Sequence, residues 1–433
     1  MLEPEPYTEI YFHASHVVFA MLQKTAPLSL LALLLIVVPL QAETLFWPGW
    51  LGPNRDGRLQ ELTPPKSWPE SLDKAWQVEV GAGYGTPLVQ GDSVFIHTRV
   101  AEQEVLQCLD LASGKVRWKQ EFDVPFKIGG GGEYHGKGPK SNPLLADGRL
   151  YTLSISGVLA SWDAKTGEQL WVRDYQEQFG KGHPYWGAST SPIVSGKRVM
   201  VHFGNDDIGA LVAMDAKSGR EIWRSGKDGT SYSSPLLADF GDVHQIVQWN
   251  HEAIVGVEIE TGKELWRHPM PHLTHNQNMP TPSVYEGHVI VGGENRGMYS
   301  LQPVVENGNW SVKERWYQPK AALDMSSAVI ADGRLYGMTH YNAGQLFCLN
   351  VATGEFVWQG PPRSANNVTF LTMKGYVAAL INNGNLKILR SGTAKYDEVR
   401  SYKVADDATW AAPVMLPGKI LVKDVNTLTL WKY

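Results

Sequence analysis

The sequence predicts an all-β fold, an eight-bladed β-propeller of four-stranded antiparallel blades. Three observations predict it: a short turn motif recurs at fixed internal spacing, a second strand-like element recurs eight times, and the composition is that of a chain of short strands and turns. Of 433 residues, 43 are Gly, 26 Pro and 16 Trp, which suits many turns with repeated aromatic packing.

The turn motif is D-x-x-x-G-x-x-x-W. It occurs as Asp110, Gly114 and Trp118; as Asp163, Gly167 and Trp171; and as Asp215, Gly219 and Trp223. Glu258, Gly262 and Trp266 repeat it with Glu for Asp, and Asn350, Gly354 and Trp358 with Asn. Apolar residues alternate before the acid as in a strand. The acid or amide then caps a tight turn, Gly supplies its left-handed residue, and Trp falls on the returning strand, facing a neighbouring unit. The acids therefore read as turn-formers rather than catalysts.

The second element is a small or polar residue, usually followed by Pro, then an apolar run, a turn and another strand. Its copies include "GTPLVQGDSVFIH", "SNPLLADGRLYTL" and "AAPVMLPGKILVK". Their mean spacing is about 47 residues, close to that of four-stranded propeller blades. Each blade then has strands a to d, with the acid ending strand c and the Trp on strand d. Blades five and seven carry irregular c–d hairpins: the first is stretched, with Trp316 near the usual place, and the second lacks acid and Trp. The last blade stops after strand c, at "TLTLWKY". "LDKAWQVEV", with Trp76, is available to complete it, so that an N-terminal strand closes the ring and removes exposed edges.

The domain reading is 1–42, an N-terminal extension and signal peptide; 43–72, a lead-in ordered in part through Trp47 and Trp50; and 73–433, the propeller. Leu28–Leu40 is an apolar run of 13 residues. A confident membrane span needs roughly 20. With Lys24 before it and Ala42 after it, the layout is that of a secretory leader. The acidic stretch before Met21 does not suit such a leader, so Met21 competes with Met1 as the start. No Cys follows the apolar run to accept a lipid. The expected location is periplasmic or secreted, with no membrane span retained after leader cleavage. A net charge of −5 without a basic stripe argues against a nucleic-acid partner. Two cysteines, Cys108 and Cys348, make neither a disulfide framework nor a metal spacing, and both read as buried thiols.

In a propeller the d–a and b–c connections share one face. Here those loops are long and chemically varied, whereas the a–b and c–d turns are short. The loop-rich face is predicted to carry Tyr84, His135, Lys137, Lys140, Tyr185, Trp186, Tyr232, Asn276, Gln277, Asn278, Glu294, Arg296, His340, Tyr341 and Trp410. Aromatic rings mixed with amides and a few charges suit a polar planar ligand, a glycan or a peptide. The ligand-binding candidates are His135, Lys137, Lys140, Trp186, Tyr232, Asn276, Gln277, Asn278, Glu294, Arg296, His340 and Trp410. Within this set, "GGGGEYHGKGPKSNP" (129–143) approaches a phosphate loop. It lacks the Ser or Thr after Lys137 and the helix start that such a loop needs, so it reads as a rim loop between blades one and two. The 13 histidines show no metal-ligand spacing, and "GNDDIG" (204–209) reads as a turn rather than a calcium loop. No nucleophile elbow or Ser/His/Asp arrangement is legible.

"DAKTGEQLW", "DAKSGREIW" and "NVATGEFVW" resemble the repeats of the pyrroloquinoline-quinone-like (PQQ-like) propeller family. The lead-in "FWPGWLGPNRDG" and the "GKGPKSNP" loop resemble its exported BamB-like bacterial members. The resemblance implies one of two functions. BamB-like members are scaffolds that bind partner proteins, whereas the quinoprotein alcohol dehydrogenases hold PQQ and a calcium ion in the channel, beside a catalytic Asp and an adjacent-cysteine disulfide. This chain has no adjacent cysteines, and neither a catalytic Asp nor a calcium-ligand set can be assigned residue by residue. The leading expectation is a monomeric, non-catalytic binding scaffold for a protein or a small polar or glycan ligand. A PQQ-dependent oxidoreductase of alcohols or sugars, with PQQ and Ca²⁺, and a carbohydrate-binding or carbohydrate-active propeller are the alternatives.

Overall fold

Thirty-two strands, lettered a to d from the channel outward in each blade, form eight antiparallel sheets in the computed structural model, which describes residues 45–273 and 278–433. The leader segment lies outside the described residues, as do Asn276 and Gln277. Blade 1 has strands Leu88–Gln90, Ser93–Val100, Gln103–Asp110 and Val116–Asp123, and the pattern repeats through blade 7, which ends at Lys403. Blade 8 takes strands a to c from Val414–Leu416, Lys419–Lys423 and Thr427–Lys432, and its strand d from Asp73–Glu79, which pairs antiparallel with Thr427–Lys432. The N-terminal strand thus closes the ring as the sequence predicts. Among the described residues no helix is long and apolar enough to cross a membrane.

The turn motif explains how the blades hold one another. In blade 1 the Asp110 carboxylate accepts the Ser113 N–H, and the Ser113 hydroxyl, followed by the Arg117 guanidinium, holds its pKa down to about 2. Asp163, Asp215 and Asn350 cap their turns in the same way. The turn glycine has a left-handed φ, +68° at Gly219, and it also touches the preceding blade. A Cβ on Gly219 would lie 2.7 Å from the Trp171 ring, and one on Gly262 would lie 2.6 Å from Trp223. The indole N–H then donates to the carbonyl just past the turn acid: Trp171 to Ala216, Trp223 to Ile259, Trp316 to Val351, and Trp76 to Leu111. The last of these joins blade 8 to blade 1, so ring closure repeats the contact used elsewhere. A register shift sets each of these tryptophans one residue out of step on strand d, turning the ring toward the next blade. Blade 5, whose c–d hairpin is a pair of ten-residue strands, offers no turn glycine to Trp266, which bonds Gln245 of its own blade instead. Cys108 and Cys348 are free and buried, and burial pushes both thiols up.

An inner belt complements this outer one. The small polar residue before strand a of blades 2 to 6 receives a backbone N–H from the preceding blade. Thr86 donates to the Asn142 side chain, Asn142 to Ser191, Ser191 to Ser234, Ser234 to Thr281, and Thr281 to Ser327, all at 2.9–3.0 Å. These groups face the channel, where unpaired backbone donors would otherwise be costly. Beyond blade 6 the link changes kind: the Ser326 hydroxyl donates to the Asn367 side chain of blade 7, and at blade 8 Ala412 has no side-chain oxygen to offer.

The lead-in enters the ring. Phe46–Trp47 pairs with strand a of blade 1 as a fifth strand, Pro48 accepts the Leu145 N–H of blade 2, and Gly57 exchanges backbone bonds with Thr372 of blade 7 through its own carbonyl and Leu59. Arg55 donates to the Pro192 carbonyl of blade 3, and burial lowers its pKa to about 10. Residues 46–58 thereby line the channel end nearest the a–b turns, where a cavity of about 830 Å³ remains beside strands a.

Gly219→Ala is expected to destabilise the protein by roughly 1–3 kcal/mol more than Gly148→Ala, since both carry a left-handed φ but only Gly219 has a ring against it. Urea unfolding of the two variants measures the difference. Equal losses would show that the inter-blade tryptophan contact contributes nothing.

Candidate functional site

On the loop-rich face, the d–a loops and the residues before strands a surround a cup of about 490 Å³. Its floor includes Trp50, which also borders the cavity below, so the lead-in separates the two ends of the channel. The wall collects Tyr84 and Trp410 from blades 1 and 8, His135 and Lys140 from the loop between blades 1 and 2, and Trp186 and Tyr232 from the loops before blades 3 and 4. Glu294 from the b–c loop of blade 5 and Asp324 from the loop before blade 6 complete it.

The aromatic wall is rigid. Tyr84 and Trp410 stack with ring centroids 5.4 Å apart and planes at 21°, and His135 meets Trp410 edge-on at 4.9 Å. The Tyr84 hydroxyl lies 3.0 Å from His135 Nδ1 and 3.1 Å from the His135 carbonyl. Trp186 and Tyr232 pack at 5.7 Å, and the Tyr232 hydroxyl accepts the Trp186 backbone N–H. The glycine-rich loop is explained by the same aromatics. A Cβ on Gly132 would lie 2.7 Å from Trp186, and one on Gly129 would lie 2.5 Å from Tyr185. Its glycines therefore admit indole and phenol rings at van der Waals contact, rather than phosphate.

The charges are divided across the cup. Lys140 donates to the Trp186 carbonyl at 2.8 Å, and burial pushes its ammonium down to about 8. Burial, and then the Lys140 charge, lower His135. On the opposite side of the ring, burial raises Asp324 to about 6, with the neighbouring Glu294 charge adding to the shift. Cation and carboxylates thus face one another across an aromatic-lined space.

The other predicted residues lie elsewhere. Lys137 pairs with Glu102 at 3.2 Å, beside a separate cavity. Asn278 is fully buried; its amide donates to the Asn250 carbonyl, and its own carbonyl receives the Tyr232 and Ser233 N–H groups. Arg296 lies over the Trp249 ring at 4.8 Å and donates to Pro271. His340 sits at the rim, 3.0 Å from the Asn295 side chain. "GNDDIG" forms a turn in which Asn205 accepts the Asp207 and Ile208 N–H groups. Trp50 and Asp324 join the cup without having been singled out as ligand candidates. Asp324 stands in a d–a loop, "KAALDMSS", which was a usable signal. Trp50 carries no such signal, because nothing local places the lead-in inside the ring.

A carboxyl raised in the folded protein favours folding at low pH, and becomes a cost as pH climbs from about 4 through 6. Asp324→Asn is therefore expected to stabilise the protein by about 2 kcal/mol at pH 8, allowing for partial solvent screening, and to change little at pH 3.5. Urea midpoints at both pH values test it. A pH-independent difference would mean that the carboxyl is not raised.

The family model described as "Outer membrane protein assembly factor BamB" matches residues 102–360. The outer membrane protein assembly factor BamB of Shewanella oneidensis is 26% identical over 252 residues, covering 55% of this chain, and the match spans 60% of that protein's length. The quinohemoprotein alcohol dehydrogenase ADH-IIG of Pseudomonas putida is 26% identical over 188 residues, 41% of this chain and 25% of that protein. The crystal structure of BamB from Moraxella catarrhalis superposes with a TM-score of 0.60 at 14% identity, covering 84% of this chain and 98% of that one. With eight blades built on this repeat and more than half of its length matched, the chain belongs to the PQQ-repeat propeller family described as outer membrane protein assembly factor BamB.

Proposed function

We propose that the protein is an exported, non-catalytic binding module that receives a short segment of a partner protein in the cup. The observation that carries this reading is the layout of the cup: Lys140 on one side, Glu294 and Asp324 on the other, and the rings of Tyr84, Trp186, Tyr232 and Trp410 between them. Such an arrangement suits a peptide, whose backbone and termini present both charges and whose side chains stack on rings. Relatives described as outer membrane protein assembly factors support a protein partner. The leader-like segment supports export.

A second reading has an observation of its own. The Glu294–Asp324 carboxylates would offer a seat for a divalent cation, and Lys140 would balance an acidic quinone lying against Trp186 or Trp410. These residues suit PQQ with Ca²⁺, and the quinone, when bound, supplies two-electron oxidation of an alcohol. The chain's own part would be to orient the quinone and to exclude water with the aromatic wall. The adjacent-cysteine ring implied by the dehydrogenase resemblance has no counterpart, since Cys108 and Cys348 belong to blades 1 and 6.

Calorimetric and tryptophan-fluorescence titration with tri- to pentapeptides is expected to give saturable binding. Lys140→Met and Asp324→Asn should each weaken it at least about tenfold, as loss of a buried charged contact does, while Lys137→Met leaves it unchanged. Absence of peptide binding would overturn the scaffold reading, and all the more so with dye-linked alcohol oxidation after addition of PQQ and Ca²⁺. Retention on a polysaccharide column that Trp186→Ala abolishes would turn the assignment to glycans.

A further inference from the structure

Although no metal-ligand spacing is legible in the sequence, folding gathers His251, Glu252 and His272 on the loop-rich side of blade 4. One ligand atom from each lies within 4.8 Å of the other two. His251 and Glu252 follow strand b, and His272 lies just beyond strand d. The cause is backbone pairing: His272 donates to the His251 carbonyl at 2.9 Å, and Met270 to the Glu252 carbonyl at 3.0 Å. The two histidines are thereby cross-strand neighbours, and their imidazoles stack with centroids 3.6 Å apart and planes at 16°. His251 is buried and Glu252 half exposed, so the cluster has a closed side and an open one. Among the described residues, the His272 Nδ1 atom is shielded from solvent and has no hydrogen-bond partner.

We propose that His251, Glu252 and His272 form a divalent transition-metal site, with Zn²⁺ as the ion that suits it best. Two imidazoles and one carboxylate are borderline-to-hard donors that favour zinc over calcium or magnesium, which prefer all-oxygen sets. Bonds of about 2.0–2.2 Å at tetrahedral angles place ligand atoms about 3.4 Å apart. The cluster must therefore contract by about an ångström, within reach of rotation about the imidazole and carboxylate side-chain bonds. The half-exposed side leaves a fourth position for water or a donor atom of a bound molecule. The ion would tie the b–c loop of blade 4 to the segment leaving its strand d. Asn278 links that junction to the cup, because its amide bonds the Asn250 carbonyl while its own carbonyl holds the Tyr232 N–H.

The test uses the full chain, stripped with EDTA and titrated with ZnCl₂ by calorimetry, with CoCl₂ as a spectroscopic probe. One equivalent of Zn²⁺ is expected to bind in the micromolar range or tighter. Bound Co²⁺ should give visible d–d absorption without a thiolate charge-transfer band, since both cysteines are buried and distant in sequence from the cluster. His272→Ala and Glu252→Gln should each weaken Zn²⁺ at least about tenfold, while His244→Ala, at the exposed His244–Asp239 pair, should leave it unchanged. Zn²⁺ should also raise the melting temperature of the parent and not that of His272→Ala. No binding below 100 µM Zn²⁺ (on the order of weak surface-histidine affinity), or binding that survives His272→Ala in a variant with parental circular dichroism, overturns the proposal.

Discussion

Five of the eight blade junctions of this propeller share one repeated contact, an indole laid on a left-handed glycine. The glycine is required twice over, by its backbone angle and by the ring against its Cα. At four of these junctions the tryptophan also serves twice, by its flat face and by the N–H that reaches the carbonyl past the turn acid. A blade cannot bury its own sheet faces, so stability depends on neighbours stacking around a closed circle. Trp76 is the residue through which the circle shuts, and it makes the same contact with Gly114 of blade 1. In blades 5 and 7 the turn glycines, Gly308 and Gly392, meet no ring, and the preceding tryptophan finds other partners: Trp266 bonds Gln245, and Trp358 packs edge-on against Tyr396.

With the blades fixed from outside, the channel side can serve binding. Its polar belt satisfies backbone groups from one blade to the next and leaves the loops above free to vary. The lead-in converts what would be a pore into a cup. By pairing with strand a of blade 1 and crossing to blades 2, 3 and 7, it fills the far end and presents Trp50 upward. Partial closure matters electrostatically. Burial shifts both Lys140 and Asp324 toward their neutral forms, and an opposite charge placed beside either would favour its charged form.

Turn acids, glycines and tryptophans build the ring, and this chain is similar both to proteins described as assembly factors and to quinohemoprotein alcohol dehydrogenases. Glu294, Asp324, Lys140 and the stacked Tyr84–Trp410 pair come instead from rim loops of different length and origin.

Blade number, the turn chemistry and the closing strand were all legible in the chain. They rest on local rules: an acid caps the turn that follows it, a glycine takes the left-handed angle, and a strand of two-residue period seeks an edge. The loop-rich face was legible for the same reason, since strand alternation assigns every connection to one side or the other. Membership of the cup was not. Lys137 and Lys140 are three residues apart in one loop, yet Lys137 turns outward to Glu102 while Lys140 turns inward to the Trp186 carbonyl. Asn278, polar and in a rim loop, is consumed by backbone groups; Asp324 enters from a rim loop that the sequence did place on this face, whereas Trp50 enters from a lead-in that nothing local places inside the ring. Local sequence determined which residues could reach the face. Only the packing of eight blades and a threaded lead-in decided which side chains share one volume, because those contacts join groups dozens to hundreds of residues apart whose partners no local spacing records.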